Sequence, residues 1–147
     1  MIDLDIDGID KLDAGARGRL ERFASIFDRL DASHYVTLAD TTDDDAVDEA
    51  KADALAVAGR GRRYEGLRAA VRAFSDAATR AYSSRMSLTD TLLLYQSLPD
   101  RAEDRVRFLA SVERVVVAVV LWDELGDDDR SALLGPWAEL VMSGLEA

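Results

Sequence analysis

The chain has 147 residues, with Asp+Glu 29 against Lys+Arg 18 and a formal net charge of −11. Hydrophobic residues make up 48% of it, which excludes a disordered acidic tail, and a chain of this length buries roughly 70% of its unfolded surface, enough for one core. It has no cysteine and one histidine, His34, so disulfides, thiolate metal sites, cysteine nucleophiles and two-histidine metal sites are excluded within one chain.

Residues 1–13 read as an extended or mobile acidic arm. Ile2, Leu4 and Ile6 alternate with Asp3, Asp5 and Asp7, a period-two pattern with no partner strand to pair with. Asp3 to Gly8 also matches the first half of a calcium-binding EF-hand loop. The second half fails, because loop position 12 falls on Ala14 where a bidentate glutamate is required.

The remainder, 14–147, reads as a single all-α domain, a compact bundle of five to six helices. Only two prolines occur, and the segments between turn signals are rich in Ala, Leu and Arg. A first helix is expected over about 14–30, where Leu20, Phe23, Phe27 and Leu30 trace one stripe. A mixed linker carries His34 over 31–42. Thr42 with Asp45 then looks like a capping pair opening a helix that Gly59 and Gly61 close. Asp44-Asp45-Ala46-Val47-Asp48 has the DDxxD spacing that isoprenoid-processing enzymes use to hold magnesium and diphosphate. Those enzymes need a far larger helical barrel, and acids in a first helical turn are favoured by the dipole alone.

The clearest helical pattern covers 62–82, where Tyr64, Leu67, Val71, Phe74, Ala78 and Ala81 form a heptad-like seam. Ser87 with Asp90 predicts a new, short helix ending at Pro99, and Asp100 with Glu103 the start of the next. That next helix is expected over about 100–125 and takes the centre of the bundle. Val115 to Trp122 is apolar all round, so a helix there must be covered on every side. Strand propensity contends with helix in this valine run, but its flanks are helical and no second such run exists to pair with it. Gly126 closes the helix, and Gly135-Pro136 breaks the last segment before Trp137.

Charge is segregated. Residues 1–59 carry a net −9, residues 60–114 a net +4 and residues 115–147 a net −6. Arg60, Arg62, Arg63, Arg68 and Arg72 form the head of the basic block and are the candidate anion- or partner-binding residues, since guanidinium forks suit carboxylates and phosphates. The plainer reading is a charge mosaic, with the acidic stretches 43–49 and 123–129 folded against this stripe. Trp122 and Trp137 are candidate core or interface anchors.

No catalytic set emerges. His34 has no glutamate three positions before it for diiron chemistry and only sequence neighbours for a dyad. Gly59-Arg60-Gly61 lacks the sequel of a phosphate loop. The expectation is a non-catalytic, cytoplasmic protein-interaction or regulatory module that self-associates as a homo-oligomer and uses neither cofactor nor metal. The alternative is a small helical enzyme or sensor that binds a phosphorylated ligand or divalent cation through Asp44, Asp48 and Glu49 with arginines of 60–72. A third reading, nucleic-acid binding through the arginine stripe, runs against the net charge. The longest apolar run is eight residues, far below the ~20 of a membrane span, and the N-terminus lacks the pattern of a secretory signal.

Overall fold

A computed structural model describes residues 12–30, 34, 38, 62–93 and 101–146. These form five α-helices, α1 (Ala14–Asp28), α2 (Arg62–Leu93), α3 (Arg101–Val120), α4 (Asp127–Leu134) and α5 (Ala138–Glu146). Short 3₁₀ turns lie at Trp122–Glu124 and Gly135–Trp137, and no strand occurs among the described residues. The all-α bundle expected from the hydrophobic spacing is the observed architecture.

Helix α1 starts where its cap places it. Asp13 is extended, with φ −68° and ψ 165°, and its carboxylate accepts the Ala16 N–H at 2.8 Å, satisfying one of the four donors that an N-terminus leaves open. Leu20, Phe23 and Phe27 are fully buried and Leu30 nearly so, as their spacing predicts. Leu12, placed by its sequence in the arm, packs into the same core. His34 and Leu38, in the stretch read as a linker, are both helical, and Leu38 is buried. Residues 1–11, the expected helix over 42–59, the acids Asp44, Asp48 and Glu49, and Arg60 lie outside the described residues.

Helix α2 differs from expectation in two ways. It runs 32 residues without the break expected between Tyr82 and Ser87. The intervening Ser83, Ser84, Arg85 and Met86 include neither Gly nor Pro, and serine in a helix costs only a few tenths of a kcal/mol. A capping pair alone does not stop a helix whose backbone can continue. The buried face is also rotated. Leu67, Phe74 and Ala78 lie in the core as the seam predicts, but Ala70 and Tyr82 join them while Val71 and Ala81 are only half-buried. A straight helix has 3.6 residues per turn, so a 3.5-residue seam drifts around it within a few turns.

Helix α3 is the centre. Every residue from Val115 to Leu121 is fully buried, and α3 packs against α1, α2 and α4. The valine run is therefore helical, and its strand propensity is overridden by packing on all sides. The helix ends at Val120 rather than at Leu125. Leu121 turns out of helical geometry with φ −93° and ψ 15°, and Leu125 is extended. Beyond the turn, Asp127, Asp128 and Asp129 occupy the first turn of α4, where the positive end of the dipole favours them. Gly135 then takes φ 51° and ψ −128°, a conformation costly for any residue with a Cβ, and so breaks the chain where the Gly-Pro pair predicts.

An aromatic cluster joins these elements. Phe23 stacks on Phe74 at 4.8 Å between centroids and meets Trp137 edge-on at 5.4 Å. Phe27 stacks on Trp137 at 6.2 Å, and Phe108 lies 5.9 Å from the same indole. Such pairs contribute about 0.5–1.5 kcal/mol each beyond the area they bury, so α1, α2, α3 and the 3₁₀ turn before α5 share one core. No helix among the described residues is long and apolar enough to cross a membrane.

Candidate interaction surface

The packing of α2 decides which of its side chains reach solvent. With Leu67, Ala70, Phe74 and Ala78 turned inward, Arg68, Arg72, Asp76 and Arg80 are left exposed on the other side. Successive members are four residues apart, so the row winds slowly around the helix rather than lying along a line. The side chains of Arg72 and Arg80 form no ion pair or hydrogen bond with any described residue, and neither does that of Asp76 between them. Arg62 and Arg63 open α2, but their side chains lie outside the described residues.

The acids expected to cover the stripe pair elsewhere where their partners are described. Asp123 meets Arg19 of α1 at 3.4 Å, and Asp127 meets Arg130 within its own helix at 3.4 Å. Both arginines have a further role that spacing alone does not reveal. Arg19 Nε donates to the Val119 carbonyl at 2.8 Å and Nη2 to the Val120 carbonyl at 3.3 Å. Two of the four carbonyls left open at the end of α3 are thereby satisfied by a cation, which also suits the negative end of the helix dipole. Arg130 donates from Nε and Nη2 to the Trp122 carbonyl at 3.0 and 2.6 Å, while its guanidinium lies 4.6 Å from the Trp122 ring centre. The indole of Trp122 is half-buried under this cation, so the residue anchors the turn after α3.

Trp137 is fully buried. Its indole N–H donates to the Ser111 hydroxyl at 2.6 Å, and that hydroxyl donates to the Leu38 carbonyl at 3.3 Å. One turn along α3 from Ser111 lies Arg114, 3% exposed. Burial disfavours its charged form and lowers its pKa from the ordinary arginine value. Ser111 and Arg114 were legible only as polar interruptions of the apolar pattern in 108–121. Leu109, Ala110 and Glu113 around them are only half-buried, and Ser111 shares the inner face of α3 with Phe108, Val112 and Val115.

Among the described residues no group of three or more His, Cys, Asp or Glu side chains comes together to hold a metal ion. Among the described residues the exposed charge gathers in two places, an arginine-bearing outer face on α2 and an acidic turn over 123–129. The chain matches no family model, no curated protein and no solved structure.

Proposed function

We propose that this protein is a helical interaction or regulatory module that works without catalysis, and that the outer face of α2 is its working surface. The observation that carries this reading is the exposure of Arg68, Arg72 and Arg80 on a helix whose opposite face is locked into the core. A guanidinium in water gains little from being there. Held on a rigid helix at fixed spacing, it can meet carboxylates on a partner in forked geometry with little further ordering cost. Rim charges of this kind set partner choice and association rate more than affinity.

The test compares two baits, the wild-type chain and the double variant Arg72→Glu/Arg80→Glu, in the same cell lysate. Both residues are exposed, so the variant is expected to melt with the wild type. A protein other than this chain that is retained by the wild type and lost from the variant supports the reading. Identical captures from the two baits would remove α2 as the working surface.

A further inference from the structure

We infer that a second copy of this chain is one partner of the α2 face, docked through its acidic turn over residues 123–129. This rests on the interaction reading above and names an occupant for the surface. Two patches of opposite sign sit on the molecule, and each keeps charges that no described residue pairs with. On one side, Arg72 and Arg80 make no ion pair with a described residue. On the other, Asp123, Glu124, Asp127, Asp128 and Asp129 are all exposed, and Asp128 and Asp129 likewise make no ion pair with a described residue.

The helix register explains why Arg80 and the acidic turn do not meet in one chain. Ser75 on α2 hydrogen-bonds Glu113 on α3, and the Tyr82 ring lies 5.6 Å from that of Phe108, so α2 and α3 run antiparallel. Arg80 is then level with about residue 109 or 110 of α3. Arg72 is level with about residue 117, near the end of α3, yet makes no ion pair with a described residue. At 1.5 Å per residue Arg80 sits roughly 15 Å along the bundle from Val120, beyond which the acidic turn begins, a gap that exceeds the Debye length of about 8 Å at physiological salt. The same screening weakens the long-range repulsion between two chains of net charge −11, leaving contact between patches to decide the outcome. The contact joins two different patches, so it forms either reciprocally, as a dimer closed by a two-fold axis, or head-to-tail, with both kinds of patch left open at the ends.

Sedimentation velocity and light scattering on the whole chain test this, with protein raised to about 0.3 mM in salt of about 150 and 500 mM. At the lower salt the average mass is expected to exceed one chain and to keep rising with concentration, and to return to one chain at the higher salt. Arg72→Glu/Arg80→Glu and Asp128→Arg/Asp129→Arg are each expected to be monomeric alone. Mixed in equal amounts they set acidic patches against basic ones again, and the average mass should rise above one chain. Asp128→Asn/Asp129→Asn serves as a second loss variant that places no cation in the first turn of α4. A wild type that stays monomeric at every concentration and salt, or a mixture that does not associate, overturns the inference. If association fails while the two baits still capture different proteins, the interaction reading stands and only the identity of this partner falls.

Discussion

Arg19 connects α1 to the end of the central helix across 100 residues of sequence, and removing it isolates the worth of that connection. In Arg19→Met the aliphatic stem stays, while the hydrogen bonds to the Val119 and Val120 carbonyls and the ion pair to Asp123 are lost. The 2.8 Å bond has a charged donor, a class that contributes about 1.5–3 kcal/mol. The longer bond at 3.3 Å adds less, and the attraction of a cation to the end of a helix overlaps with both. The ion pair adds little, because the Asp123 side chain is 68% exposed while that of Arg19 is 12% exposed, and pairs opened to water on one side contribute about 0–1 kcal/mol. The sum is a loss of about 2–3 kcal/mol. For a chain of this size that corresponds to a fall in melting temperature of about 4–12 °C. Urea titration followed by far-ultraviolet circular dichroism measures it directly. Arg19→Lys should fall between, since one ammonium cannot span two carbonyls as a fork does. Asp123→Asn should stay within about 0.5 kcal/mol of wild type. If Arg19→Met matches wild type, or if Asp123→Asn costs as much as Arg19→Met, the carbonyl capture is not what holds this end of α3.

Three further outcomes follow from the same geometry. Ser111→Ala leaves the buried Trp137 N–H without its acceptor and should cost about 1–3 kcal/mol; in a Trp137→Phe background the same substitution should cost less, and a double-mutant cycle in urea reads the difference. At Gly144 a Cβ would overlap Ile26 Cδ1 and stand 2.9 Å from Cγ1. Gly144→Ala should therefore destabilise by about 1–3 kcal/mol through overpacking between α1 and α5, and Ile26→Val should recover part of that loss in thermal melts. Gly18 is the opposite case, a glycine inside α1 with nothing within 4 Å of an added Cβ. Gly18→Ala should raise stability by about 0.5–1 kcal/mol, read as a higher urea midpoint at unchanged slope.

Local pattern settled a good deal of this protein. The stripe Leu20, Phe23, Phe27 defines the buried face of α1. The Gly135-Pro136 pair breaks the last segment. Each of these is decided by neighbours within a turn or two, through side-chain period, backbone freedom and missing donors. Tertiary structure decided the rest. Only the assembled bundle turns Ser111 and Arg114 inward, covers the valine run of α3 on all sides so that helix prevails over strand, and ends α3 at Val120 where an arginine from α1 reaches its carbonyls. The exposure of Arg72 and Arg80 is of the same kind, since it follows from which side of α2 meets α3. A sequence states what each residue can do with its neighbours along the chain; where a guanidinium finds its acceptor, or finds none, depends on groups brought close by folding.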